Sequence, residues 1–145
     1  MCDDIQECKD TPATALWCAA YAGDTGQLQH LIAEDVDLNV WDEYGRNALT
    51  FACDAGNFEV VKQLVEAGAW VDPFENNDEY MTPLMCAARH GQTEIAEYLL
   101  DHGANPTLHG GSARTTAEYY ARTDYPLLAA ILKRAEDKWH LAHSQ

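Results

Sequence analysis

Three stretches of this chain begin alike. The first runs Thr14-Ala-Leu-Trp-Cys-Ala-Ala-Tyr-Ala-Gly23, the second Asn47-Ala-Leu-Thr-Phe-Ala-Cys-Asp-Ala-Gly56 and the third Thr82-Pro-Leu-Met-Cys-Ala-Ala-Arg-His-Gly91. Their starts are 33 and 35 residues apart, and a fainter copy opens at Thr116, 34 residues further on. Self-similarity at such a period restricts the chain to a repeat architecture. One copy cannot cover its own apolar face, so each must bury it against a neighbour.

Every copy has the same physical grammar. A polar Thr or Asn at the start (Thr14, Asn47, Thr82) can cap a helix N-terminus. A short helix follows, rich in small residues such as Ala19, Ala20, Ala52, Ala87 and Ala88, which allow close helix approach. Gly23, Gly56 or Gly91 then supplies the left-handed residue that ends it. A second helix is expected over Gln27–Ala33, Phe58–Ala67 and Thr93–His102. Its apolar residues recur at helical spacing, as in Val60, Val61, Leu64 and Val65. Gly68 or Gly103 closes it, and a polar connection leads to the next copy. In the fourth copy the second helix is expected from Pro126 to about Trp139. There Leu127, Leu128, Ile131 and Leu132 are expected to face the stack, with Lys133, Arg134, Glu136, Asp137 and Lys138 in water.

The pattern resembles the ankyrin repeat. Asp42-Glu-Tyr-Gly-Arg-Asn-Ala-Leu followed by Gly56-Asn-Phe-Glu-Val-Val-Lys-Gln-Leu-Val-Glu-Ala-Gly-Ala carries the resemblance best. Thr82-Pro-Leu with Gly91-Gln-Thr-Glu-Ile-Ala-Glu-Tyr-Leu-Leu-Asp-His-Gly-Ala104 repeats it. The resemblance implies an all-α solenoid of stacked helix-turn-helix units joined by β-hairpin-like fingers. Four repeats are expected over residues 11–134, at about 11–41, 42–74, 75–109 and 110–134. Residues 1–10 form an acidic tail, and 135–145 the end of the last helix and a tail. The outer copies depart from the family in ways that suit caps. Asp35 stands where a helix-ending Gly is usual, Glu118 where an apolar residue is usual, and the fourth copy lacks the Gly between its helices. Two extra residues lengthen the finger at Pro73–Met81. Trp70 stands where the family prefers Asp, and it is expected to cover the edge of the core or to pack on the long finger of Phe74. Trp17 replaces a usual His and is expected to pack at the first cap. Asn39 lies in a context resembling that in which some animal ankyrin proteins are hydroxylated, although bonding to finger backbone is the simpler role.

Composition narrows the function. Twenty-four acidic and 9 basic residues leave a formal charge of −15. Such a surface repels phosphate backbones and anionic membranes, so neither nucleic acid nor membrane is an expected partner. It would steer a basic protein, although the same charge also serves solubility. The odd number of cysteines argues against a disulfide framework. Cys18, Cys53 and Cys86 fall at small or apolar repeat positions and are expected as core thiols. Residues 1–12 do not read as a signal peptide, which makes the cytoplasm the expected location. No enzymatic role is expected. The carboxylates form no recognisable pair, Gly110-Gly111-Ser112 lacks the following Lys of a phosphate loop, and the histidines share no ligand spacing. No cofactor and no metal are expected.

Ankyrin proteins typically bind partners through their fingertips and the exposed face of their first helices. The resemblance puts that role on Trp41, Glu43, Tyr44 and Arg46 in the first finger and on Phe74, Asp78, Glu79 and Tyr80 in the second. His109 presents the third, and Tyr21, Asp54, Arg89 and His90 lie on the first helices. Bare Trp, Tyr and Arg are common interface anchors and cost solubility when unused. The alternative is that Trp41 and Phe74 fold back on a neighbouring finger. Asp42 is expected to bond its own loop backbone instead of a partner. The expected function is a monomeric, non-enzymatic protein-interaction module. The alternative is an acidic inhibitor of a basic enzyme or toxin.

Overall fold

A computed structural model describes residues 11–72, 80–110 and 116–144. Among them lie eight α-helices and no β-strand: α1 (Pro12–Ala22), α2 (Thr25–Ala33), α3 (Ala48–Ala55), α4 (Phe58–Glu66), α5 (Pro83–Arg89), α6 (Thr93–Asp101), α7 (Ala117–Ala121) and α8 (Pro126–Ala142). The helices pair as the repeats require, α1 with α2, α3 with α4, α5 with α6 and α7 with α8. The chain forms two compact units, one ending at Trp70 and the other starting at Val71.

In the first unit α1 packs on α3 and α2 on α4. Leu16, Ala19, Ala20, Leu28, Leu49, Ala52, Val60, Val61 and Leu64 fill the space between them. The alanines sit on the facing sides of the first helices, where a longer side chain would hold the two apart. In the second unit α5 packs on α6 and α7, and α7 on α8, over Leu84, Met85, Ile95, Leu99, Ala121, Leu128 and Leu132. Each fully buried Leu or Ile contributes about 1.5–3 kcal/mol relative to exposure. Cys53 and Cys86 are buried here as small apolar side chains. Cys18 is not a core thiol as expected, because it is disulfide-bonded.

The helix starts follow the repeat with one correction. Asn47 and Thr82 cap α3 and α5, accepting the main-chain N–H of Thr50 (2.9 Å) and Met85 (3.2 Å). The cap of α1 is Thr11 and not Thr14, so α1 runs a turn longer than the first helices after it. At the other end of the second helices, Asp35 takes φ +59°, the left-handed region occupied by Gly68 and Gly103 in the later copies. Asp is among the few residues that tolerate this region.

The last helix differs from expectation in the face it buries. Leu128, Ala129, Leu132 and Glu136 are buried, a stripe at helical spacing. Leu127 precedes that stripe by one residue, about 100° around the helix, and is 83% exposed. Glu136, expected in water, is 8% exposed, and its Oε1 has no hydrogen-bond partner among the described residues.

One latch occurs in both units. Asn39 Oδ1 accepts the main-chain N–H of Trp70 at 2.8 Å, and Asp72 Oδ2 accepts that of Asn105 at 2.8 Å. Both bonds tie one repeat to the next, so Asn39 bonds the neighbouring repeat and not its own finger. Asp72 is the less comfortable occupant. Burial raises its carboxyl above the ordinary range, opposed by the hydrogen bond from Asn105, and its Oδ1 has no partner among the described residues. The folded chain therefore takes up a proton at Asp72 more readily than the unfolded chain. The ionised carboxylate thus costs stability at neutral pH, and the cost is relieved as pH falls through the raised value. Asp72→Asn, which copies Asn39, is expected to raise the melting midpoint at pH 7 by about 1–3 °C. The gain over wild type should shrink as pH falls towards 4. A midpoint lowered at pH 7 would show that the charge is needed there.

Candidate partner-binding site

The first finger is built on Asp42. Its Oδ1 accepts the main-chain N–H groups of Tyr44 and Arg46, both at 2.9 Å, and its own N–H donates to Arg46 O at 2.9 Å. Gly45 completes the turn at φ +71°. Asp42 Oδ2 then receives Arg46 Nε and Nη2, each at 2.8 Å. The expectation that Asp42 holds the loop is met, and one carboxylate fixes both the loop and the Arg46 side chain.

Arg46 is thereby occupied. Its guanidinium carbon lies 5.1 Å from the centre of the Tyr44 ring and 4.7 Å from that of Phe51. Such contacts are worth about 0.5–1 kcal/mol each near the surface. The finger is also fixed to the helices. Trp17 Nε1 donates to Val40 O at 3.1 Å, and its ring lies 6.1 Å from that of Phe51. Trp17 therefore joins α1, α3 and the finger, in line with the packing role expected of it.

From this fixed base Trp41 is 49% exposed and Tyr44 65%, with Glu43 exposed between them. Tyr21, on the last turn of α1, is 51% exposed, and Asp54, one repeat later on α3, is half-buried. Sequence reasoning missed Asn57, whose amide donates to the carbonyls of Ala20 and Tyr21 at 3.0 Å each and so closes the end of α1 beneath Tyr21. A polar residue directly after the helix-ending Gly was the available signal. Trp70, expected to cover core, is instead 55% exposed.

In the second unit Arg89 and His90 are exposed at the end of α5, and Arg89 Nη2 donates to His90 Nε2 at 3.3 Å. Arg89 Nη1 lies 3.8 Å from Met81 Sδ. Tyr80 is half-buried and His109 exposed. The structure thus brings Arg89 and His90 together and leaves His109 on a separate loop. Phe74, Asp78 and Glu79 lie outside the described residues. Among the described residues no group of three His, Cys, Asp or Glu side chains is arranged to hold a metal ion, and no helix is long and apolar enough to cross a membrane.

Comparison with known proteins agrees with this geometry. The family model of ankyrin repeats (3 copies) matches residues 2–75, and that of the single ankyrin repeat matches residues 79–110. An ankyrin repeat and KH domain-containing protein of Caenorhabditis briggsae is 36% identical over 68% of the chain. A probable E3 ubiquitin-protein ligase of Oryza sativa subsp. japonica is 36% identical over 88% of it. A transient receptor potential cation channel subfamily A member 1 homolog of Caenorhabditis elegans is 34% identical over 69%. The chain spans only 4%, 29% and 8% of the lengths of these three relatives.

Proposed function

The chain belongs to the ankyrin-repeat family, and from that premise we propose that it binds a partner protein through its first finger and the exposed ends of its first helices, without catalysing a reaction. Ankyrin repeats are in general protein-interaction modules. The observation that carries the finer reading is the finger itself. Asp42, Arg46 and Trp17 fix a loop whose two large aromatic side chains, Trp41 and Tyr44, stay about half exposed or more. A loop already ordered loses little further freedom on binding. Tyr21, Glu43 and Asp54 extend the surface in the first unit. Arg89, His90, Tyr80 and His109 are the corresponding candidates in the second.

The charge of −15 favours a basic partner. Affinity capture from an extract of the source organism is the test, with wild type compared against Trp41→Ala/Tyr44→Ala. The double variant is expected to bind at least about tenfold more weakly, since buried aromatic anchors carry most interface energy. Association should also slow steeply as salt rises. Equal recovery of a specific partner by both proteins would sink the proposed surface.

A further inference from the structure

In the second unit, residues of α6 and α8 line a groove of about 700 Å³. Its lining includes the apolar side chains of Leu100, Pro106, Ile131, Ala135 and Trp139, which we take as its floor. Its two walls carry opposite charge. Glu97 and Asp101 stand on the α6 side, and Arg134 and Lys138 on the α8 side. Among the described residues none of these four forms an ion pair, whereas the neighbouring Lys133 lies within 3.8 Å of Glu136 and 3.5 Å of Asp137. The basic wall is unusual in a chain with only 9 basic residues.

The groove continues a stripe along α8. Leu127, Ile131, Arg134, Lys138 and Leu141 follow one another at helical spacing, and the leucines at its two ends are 83% and 78% exposed. From Ile131 to His143 the lined length of α8 is about 18 Å at 1.5 Å per residue. That matches three turns of an incoming helix, the length over which anchors at i, i+3 or i+4, and i+7 are read.

We propose that this groove binds an amphipathic helix of another protein, distinct from the partner held by the first finger. The helix has an apolar ridge on the Leu100–Trp139 floor, basic residues on the flank facing Glu97 and Asp101, and acidic residues on the flank facing Arg134 and Lys138. The opposed charges set the direction in which the helix lies, because reversing it would bring like charges together. The proposal does not rest on the finger, and Trp41→Ala/Tyr44→Ala leaves it untouched.

The test is selection of a displayed library of helix-constrained 14-residue peptides against the whole chain. The expected winners carry apolar residues at i, i+4, i+7 and i+11 with basic and acidic residues on opposite flanks. Ala135→Arg, which fills the floor, should weaken them at least about tenfold. Arg134→Glu/Lys138→Glu changes only exposed side chains, so it should fold normally and reverse the preference on that flank. Winners that bind Ala135→Arg as tightly as wild type, while circular dichroism shows it folded, would overturn the proposal. So would a flank preference unmoved by the charge reversal. Sedimentation showing a wild-type dimer that Ala135→Arg abolishes would also overturn it, because the occupant would then be a second copy.

Discussion

Alanine in place of Gly110 is expected to destabilise the second unit by about 3 kcal/mol or more, among the larger effects a single methyl can have. Gly110 is buried. A Cβ built there would collide with the main-chain oxygen of Tyr80 and lie 2.8 Å from Met85 Sδ. A side-chain tip can swing aside, but a carbonyl oxygen moves only with its backbone. Met85 is itself 1% exposed and has little room to retreat. Gly103 is the natural control. It has φ +92° but nothing within 4 Å of an added Cβ. Alanine there meets only left-handed backbone strain, about 1–2 kcal/mol. Denaturant titration of the two variants separates steric exclusion from strain. Equal midpoints would mean that the Gly110 loop shifts freely and that the close approach to Tyr80 is not needed.

Asn47→Ala is expected to cost about 2 kcal/mol, and Thr11→Ala about 0.5–1 kcal/mol, although both residues make the same capping box. Thr50 N–H donates to Asn47 Oδ1 at 2.9 Å, and Asn47 N–H to Thr50 Oγ1 at 2.8 Å. The corresponding pair at Thr11 and Thr14 is made at 3.1 Å in both directions. The difference is water. Thr11 is exposed, so solvent can replace the lost acceptor. Asn47 and Thr50 are each 1% exposed, so truncating Asn47 leaves the Thr50 N–H buried without a partner. Thermal melts of both variants measure the gap. Similar losses would show that water reaches α3's first turn.

The repeat made much of the fold legible before any coordinates. The helix-ending glycines act within one copy, and they came out where the grammar put them. The misjudged features depend on neighbours. Leu127 and Leu128 are equally apolar, and only the docking of α8 on α7 decides which is buried. Glu136 lies four residues after Leu132 on the same stripe, but its charge argued for water. Thr14 holds the repeat position, but Thr11 is the residue that caps α1. The site divides in the same way. Asp42's role follows from loop chemistry that is local in sequence. Arg46, expected at the partner surface, is held by Asp42 and lies over the Tyr44 and Phe51 rings with about a third of its side chain exposed. At Trp70 the structure shows a main-chain N–H held by Asn39 and a ring 55% exposed, neither of which the residue type alone reveals.

The tie from Trp17 to Val40 has a consequence for recognition at a distance. Trp17 lies on α1 and belongs to no fingertip, yet it helps hold the loop that carries Trp41 and Tyr44. Weakening it would let that loop sample many shapes, of which few match a partner, and apparent affinity falls in proportion to the matching fraction. Variation at an interior helix position could therefore tune how tightly this protein holds another, while every residue at the contact stayed the same.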